Sequence, residues 1–152
     1  MMTVYRLVKT QHARNAFSGE GARVYGGRWN PPDFPVIYAS QSRALAALET
    51  FVHLVLEAPD LRFLLYEIVL PQDARLRHYE GPERAWRRRS LQATQEIGRA
   101  WLTEAESLAL VVPSVIVPRE KNFVLSPRHA QFADLRISKP EPFSFDGRMW
   151  KS

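Results

Sequence analysis

The chain has no cysteine. That excludes disulfides, thiolate metal ligands and a cysteine nucleophile, and it agrees with a reducing compartment. No apolar run approaches the ~18 residues that a membrane-spanning helix needs. The opening stretch MMTVYRLVKTQHARNAF also lacks the apolar centre of a secretory signal. The expectation is a soluble cytoplasmic protein without a membrane partner. Histidine is sparse, and His12, His53, His78 and His129 do not stand at the HExxH spacing of a zinc helix. There is no Walker loop and no GxSxG elbow, and Gly19-Glu20-Gly21 meets Val24 where a dinucleotide fingerprint needs a third glycine. Helix-borne zinc hydrolysis, ATP-driven chemistry, serine hydrolysis and hydride transfer on a Rossmann fold are left without support, and no metal site is expected.

What is present fits one domain. The 152 residues are enough to bury a core without covalent staples. No internal repeat, low-complexity tract or linker divides residues 1–152. A net charge of +5 and a pI of about 9.9 favour an anionic partner. Much of the basic excess lies in RLRHYEGPERAWRRRSLQATQEIGR, from Arg75 to Arg99. With no basic-aromatic array and no helix-turn-helix signature, this segment reads first as a solvated basic face. A non-catalytic, nucleic-acid-binding module is the alternative it keeps open.

Met2 to Val8 alternates as an opening strand, and Arg6 within it reads first as a solvated edge charge, with a side chain pointing into a cleft as the alternative. Thr10 to Gly21 reads as a connection with one helical turn near His12 to Phe17. Asn30-Pro31-Pro32-Asp33 forces a turn, and Val36 to Ala39 is a short apolar strand. Ser40 or Ser42 caps a helix over Arg43 to Glu57. Its apolar positions Leu45, Leu48, Val52, Val55 and Leu56, with Ala44, Ala47, Phe51 and Leu54, predict burial around most of its girth. Ala58-Pro59-Asp60 breaks it. Leu61 to Leu70 is a strand, and Ser90 to Trp101 a second main helix. Leu108 to Val112 and Ser114 to Val117 flank Pro113 as a strand bending at a sheet edge. Phe123 to Leu125, Ile137 and Phe143 to Phe145 complete a set of short strands. The fold class is α+β: a short-stranded, mixed or antiparallel sheet with flanking helices.

The stretch YGGRWNPPDFPVIYASQSRALAALETF carries the candidate chemistry. Arg28, Tyr38 and Glu49 follow one another at spacings of ten and eleven residues, on a loop, a strand and a helix. Consecutive elements commonly pack together, so the three side chains could meet in one cleft. Gly26-Gly27 lets the backbone approach a ligand, the Arg28 guanidinium can fork onto phosphate oxygens, and the Trp29 indole offers a flat face for a base. Arg28 could instead pair with Asp33. Tyr38 could be a core aromatic or stack on a planar ligand. Glu49 is the more telling residue, because a carboxylate among Leu45, Leu48 and Val52 is seldom found unless it is paired or working. Arg43 and His53 are its candidate structural partners.

YRL near the start, GGRWNPP and IYAS, ALETFVH, then VPSVIVPREKNFVLSPRHAQF and FSFDGRMW, in that order over nearly the whole chain, resemble the RES domain family. The family is named for Arg, Glu and Ser residues, which Arg28, Glu49 and Ser114 match. Tyr38 matches a further site residue, Arg6 a recurrent arginine and Asn122 a recurrent asparagine. Ser126 departs from the asparagine that relatives often carry there. The resemblance implies a fold similar to ADP-ribosyltransferases such as diphtheria toxin. It also implies a toxin of a bacterial toxin–antitoxin pair, held by an Xre-type antitoxin and meeting operator DNA only through that complex. The implied activity is cleavage of NAD, as substrate rather than cofactor, at the nicotinamide–ribose bond. Water or phosphate would be the acceptor, or alternatively a protein side chain. Under this resemblance Glu49 stabilises the oxocarbenium-like ribose, Arg6 and Arg28 hold the pyrophosphate, and Tyr38 packs on the nicotinamide end. Ser114 hydrogen-bonds the mononucleotide half. A homodimer is only the common default.

Overall fold

The opening strand forms as β1 (Thr3–Lys9), but it is interior, not an edge. It pairs antiparallel with β3 (Phe63–Val69) from Thr3↔Val69 to Lys9↔Phe63. On its other side it meets β2 (Ile37–Ser40) at Tyr5↔Ser40. The alternation in TVYRLVK reads correctly as a strand, but an arginine within it says nothing about which strands lie beside it. The solvated-edge expectation for Arg6 is therefore overturned.

The computed structural model describes residues 1–54 and 61–150. Among these, β4 (Leu76–His78), β5 (Ala109–Pro113), β6 (Lys121–Leu125), β7 (Arg136–Ile137) and β8 (Glu141–Phe143) complete one sheet. Its order is β4-β5-β6-β2-β1-β3-β7, with β8 also on β3, and only the β4–β5 pair is parallel. The run before Pro113 is thus a fully buried inner strand, and Pro113 closes it instead of bending an edge. Residues 114–117 are not strand: the Ser114 hydroxyl accepts the N–H groups of Ile116 (3.1 Å) and Val117 (2.9 Å), which commits that backbone to a turn.

Pairing register fixes the faces, because residues opposite one another point the same way. One face carries Val4, Ile37, Ala39, Ile68, Ala109, Val111, Phe123 and Leu125 and is a continuous core. The other face bears two separate clusters. Leu7, Phe63 and Leu65 pack with Ala46 and Phe145 on one side. Leu110, Val112 and Val124 pack with Trp29, Val36, Trp86 and Trp101 on the other. Tyr38, Ser40 and Asn122 lie between them, by the registers Tyr38↔Val124 and Ser40↔Asn122. The site grows from this strip.

Among the described residues, four helices supply the walls: α1 (Glu20–Tyr25), α2 (Arg43–Phe51), α3 (Glu83–Trp86) and α4 (Gln92–Glu104). Short 3-10 turns at Thr10–Asn15, Ala130–Asp134 and Gly147–Trp150 complete the chain. Ser42, not Ser40, caps α2, its hydroxyl accepting the Leu45 N–H at 3.0 Å. Helix α2 is amphipathic, not buried around its girth: Leu45 and Ala46 are its buried residues, while Leu48 and Val52 are 37% and 55% exposed. Burying Leu45 contributes about 1.5–3 kcal/mol to holding α2 on the sheet. The expected continuation through Val55, Leu56 and Glu57, and the break at Ala58-Pro59-Asp60, lie outside the described residues. Helix α1, strand β4 and helix α3 were not expected; the charged sequences that form them carry no periodic apolar signal.

Candidate active site

Glu49 projects from the last turn of α2 towards the ends of β5 and β6. One carboxylate oxygen, Oε1, accepts from Ser114 Oγ at 2.7 Å and from Asn122 Nδ2 at 2.9 Å. Asn122 is oriented in turn by Ser40, whose hydroxyl donates to Asn122 Oδ1 at 2.6 Å. The second oxygen, Oε2, has no hydrogen-bond partner among the described residues. A carboxylate with one oxygen doubly gripped and the other open has a fixed direction in which to present negative charge.

The reason for Glu49's placement differs from the expectation. Its helical neighbours Leu48 and Val52 are exposed, so an apolar surround does not define it; polar donors from two strands do. The proposed partners also fail. Arg43 turns to Glu67 and Glu141, with its guanidinium over the Tyr5 ring, and His53 is exposed. Ser114 is fully buried, at 0% exposure, with its hydroxyl committed to Glu49 and to two backbone N–H groups. Its hydroxyl is thus directed at Glu49 and at local backbone, whereas the sequence reading gave it a contact to the mononucleotide half of a ligand.

Arg28 stands at the other end of the strip. Its Nη1 donates to the carbonyls of Trp86 (3.3 Å) and Arg88 (2.9 Å), and no carboxylate pairs with it among the described residues. The alternative pairing with Asp33 is absent. The loop that presents Arg28 is held from every side. Gly27 and Asn30 form a two-way backbone bridge. Asn30, with 0% exposure, donates to the carbonyls of Ala22, Pro31 and Phe34. Gln95 of α4 donates to the Gly27 carbonyl at 2.9 Å. Trp29 is 3% exposed and packs edge-on against Tyr79 within the tryptophan cluster. Its indole is core, and the flat platform expected for a ligand base is not available.

Tyr38 joins the two ends. Its hydroxyl donates to Asn30 Oδ1 at 2.6 Å and accepts from the Trp29 N–H at 3.0 Å. Burial pushes this phenol well above the usual tyrosine range, opposed by those backbone contacts and by the nearby Arg28 charge. A β-carbon on Gly27 would lie 2.6 Å from this hydroxyl, so the second glycine of the pair is what lets the loop close over Tyr38. Tyr38 and Ser40 are two residues apart on one face of β2, about 7 Å along the strand. Arg28 at one end and the Glu49 network at the other are thus brought onto one strip of sheet.

Arg6 enters where β1 and β2 part. Beyond Tyr5↔Ser40 the strands no longer pair, and the guanidinium fills the opening: Nε donates to Ala16 O (2.8 Å) and Nη1 to Tyr38 O (2.9 Å). Burial pushes its pKa down to about 10, partly countered by Tyr66, so it remains a cation at neutral pH. It has no carboxylate partner among the described residues. A desolvated positive charge that satisfies carbonyls but meets no anion is suited to one brought by a ligand. Among the described residues, no group of three His, Asp or Glu side chains is placed to hold a metal. Sequence reasoning missed Ser40, Asn30 and Gln95 as site residues. Nothing in a cap candidate, a turn asparagine or a surface-like glutamine marks such a role.

The profile of the RES domain family matches residues 3–146. The chain belongs to the RES domain family. It is 38% identical over 153 residues to the "Toxin Res" of Yersinia enterocolitica, covering 97% of this chain and 99% of that protein. It is 34% identical to the "Prs ADP-ribosylating toxin" of a Sphingobium strain, over 87% of this chain and 85% of the relative. A shorter match, 47% identical over 66 residues, covers 37% of this chain and 34% of the "NAD(+) phosphorylase MbcT" of Mycobacterium tuberculosis. The fold is similar to a chain in the crystal structure of the M. tuberculosis MbcT-MbcA toxin-antitoxin complex. That superposition has a TM-score of 0.73 at 22% identity and covers 98% of this chain and 86% of that one.

Proposed function

We propose that this RES-family chain is the toxin of a toxin–antitoxin pair and breaks the bond between nicotinamide and ribose in NAD. The observation that carries the reading is the carboxylate of Glu49, fixed through Oε1 by Ser114 and Asn122 with Oε2 open. When the C–N bond breaks, nicotinamide leaves with the electron pair as a neutral molecule, and positive charge develops on the ribose. A carboxylate already aimed at that charge stabilises it without reorganising. Arg28 and Arg6 supply position, as cations that no carboxylate among the described residues competes for. Tyr38 forms the floor between them. The ribosyl centre then takes an oxygen from water or from phosphate. Protein ADP-ribosylation is the second reading, favoured by the relative named an ADP-ribosylating toxin. It differs only in the acceptor.

The partner in this reading is an antitoxin protein of Xre type, with operator DNA met only through that complex, and the place of action is the cytoplasm that holds the NAD pool. A homodimer is compatible with this chemistry but is not required by it. The test is nicotinamide release from NAD by the purified protein, with and without phosphate. Wild type should consume NAD, and Glu49→Gln should not. Equal rates in the two proteins would sink the assignment. A basic nucleic-acid-binding module would instead leave NAD intact and lose DNA affinity steeply with added salt.

A further inference from the structure

On the reading above, Glu49 faces the ribose that carries nicotinamide, and Arg28, at the other end of the strip, meets the pyrophosphate. A dinucleotide laid along this line continues past Arg28 with its second ribose, that of adenosine. What stands there is the turn after α3, because Arg28 Nη1 donates to the carbonyls of Trp86 (3.3 Å) and Arg88 (2.9 Å). This turn and α3 line a surface cleft of about 650 Å³ with Glu83, Arg84, Arg87 and Arg88. The charge in that wall decides what the ribose can carry at its 2′ position. A bare 2′-hydroxyl is recognised by a carboxylate that accepts its hydrogen bond, a 2′-phosphate by arginine. The carboxylate of this lining, Glu83, is already held by Arg87, whose Nη1 donates to Oε1 at 2.6 Å. Arg84 and Arg88 are exposed and pair with no carboxylate among the described residues. An adjoining cleft of about 460 Å³ shares Arg88 and contains Glu96, which is likewise paired, with Arg99. Both acids are neutralised and two forked cations are left over. That pattern suits an added phosphate and offers nothing to a free hydroxyl.

We infer that Arg84 and Arg88 take the 2′-phosphate of NADP, so that this enzyme cleaves NADP in preference to NAD. The inference rests on the NAD-cleaving reading and leaves its chemistry unchanged. With water as acceptor, the bond between nicotinamide and ribose breaks and nicotinamide leaves neutral with the electron pair. The water oxygen bonds to the ribose carbon, and one proton is released. The other product is ADP-ribose still bearing its 2′-phosphate. The two arginines stay at the far end of the substrate from the reacting carbon and act on which dinucleotide is bound. Arg28 and Arg6 are left to the pyrophosphate that both dinucleotides carry.

The test compares NAD and NADP as substrates of wild type and of the Arg84→Gln/Arg88→Gln double variant. Both positions are exposed, and the variant keeps the Arg88 carbonyl that holds Arg28. Nicotinamide release by wild type should show a kcat/KM about tenfold higher for NADP than for NAD, with the difference in KM, as one charge-assisted contact provides. In the variant the two substrates should be equal and the NAD rate unchanged, which also shows that the protein has folded. Binding is read without turnover by calorimetric titration with adenosine 2′,5′-bisphosphate and with 5′-AMP, which differ only in the 2′-phosphate. Wild type should bind the first about tenfold more tightly than the second, and the variant should bind both alike. NAD cleavage without preference for NADP, a preference that the variant keeps, or an equal loss on both substrates overturns this inference and leaves the NAD-cleaving reading standing. A wild type that releases nicotinamide from neither dinucleotide overturns that reading and the substrate assignment with it, even where the bisphosphate binds through Arg84 and Arg88.

Discussion

The Ser114 hydroxyl reaches Glu49 Oε1 at 2.7 Å across 65 positions of sequence, linking the end of an inner strand to a helix on the sheet's face. Neither residue specifies this alone. A fully buried serine needs an acceptor, and a half-buried glutamate needs a donor, so each supplies what would otherwise be a cost. Ser114→Ala should therefore act through Glu49. We expect kcat for NAD cleavage to fall on the order of a hundredfold, as for a misplaced catalytic group, with KM for NAD little changed. The loss of a partner for the Ile116 and Val117 N–H groups adds about 1–3 kcal/mol of destabilisation. Steady-state kinetics beside a thermal melt separates the two effects; an unchanged kcat in a folded variant contradicts the positioning role.

Asn122→Ala removes the second donor to Glu49 and leaves the Ser40 hydroxyl without its acceptor. A fall in kcat similar to that of Ser114→Ala is expected. Because both donors act on one oxygen, the Ser114→Ala/Asn122→Ala pair should lose less than the product of the two single effects. Strict multiplicativity in a double-mutant cycle would show that the donors act independently.

Arg6 makes a prediction about pH as well as affinity. Arg6→Gln should raise KM for NAD about tenfold or more, through loss of a cation that pairs with no carboxylate among the described residues. Its folded pKa, lowered to about 10, leaves it charged in both folded and unfolded chains at neutral pH. Arg6 therefore contributes no pH dependence of stability between about pH 6 and 9. Above that range the folded form gives up its proton before the unfolded chain does, so the cost of burying the charge is relieved and this residue's effect on stability turns upward. The stability difference between wild type and Arg6→Gln, followed by denaturant titration, should be flat across the neutral range and change only in alkali.

Much of this organisation is legible in the residues, and what is hidden has physical reasons. The alternation of TVYRLVK and the run LRFLLYEIVL announce strands because one face of each is buried. The serine before RALAALETF announces a helix start because a cap needs a hydroxyl. Periodicity cannot say which strands become neighbours, so Arg6 reads as an edge charge although it fills a gap inside the sheet. Composition cannot tell a ligand platform from a core indole, and Trp29 proves to be core. An asparagine before two prolines has every mark of a turn residue, and Asn30 does sit in one. That it is buried and holds the Tyr38 hydroxyl depends on contacts from outside the turn, which no local pattern encodes.

Tyr38→Phe isolates that contact. Removing the hydroxyl strands Asn30 Oδ1 and the Trp29 N–H, both in a loop packed against the core. The expected cost is about 1–3 kcal/mol, at about 2–4 °C in Tm per kcal/mol for a chain of this size. The phenol's folded pKa is raised by burial, so its stabilisation is fully present below the ordinary tyrosine pKa of ~10 and is lost as pH climbs through the folded value. The Tm gap between wild type and variant should be constant below about pH 9 and narrow above pH ~10. A gap independent of pH into strong alkali would show that the hydroxyl is not held as described.

The packing of α4 on the Arg28 loop leaves no room at one position. A β-carbon on Gly98 would fall 1.5 Å from the Trp29 carbonyl oxygen, which is backbone and cannot turn aside. Gly98→Ala must therefore push α4 away from the loop, at a cost of several times the about 0.5–1 kcal/mol that alanine ordinarily gains over glycine in a helix. Because Gln95 on the same helix donates to the Gly27 carbonyl, the displacement also frees the Arg28 loop. The variant should unfold at clearly lower denaturant concentration and, under conditions where it is still folded, show a raised KM for NAD. Gly21→Ala is the matched control. Gly21 lies in α1, where an added methyl group would meet nothing within 4 Å and the φ is an ordinary helical one, so alanine there should be neutral or slightly stabilising and leave the kinetics untouched. If the two substitutions behave alike, α4 does not brace the loop, and Arg28 is positioned by the Asn30 contacts within the loop and by its own bonds to the Trp86 and Arg88 carbonyls.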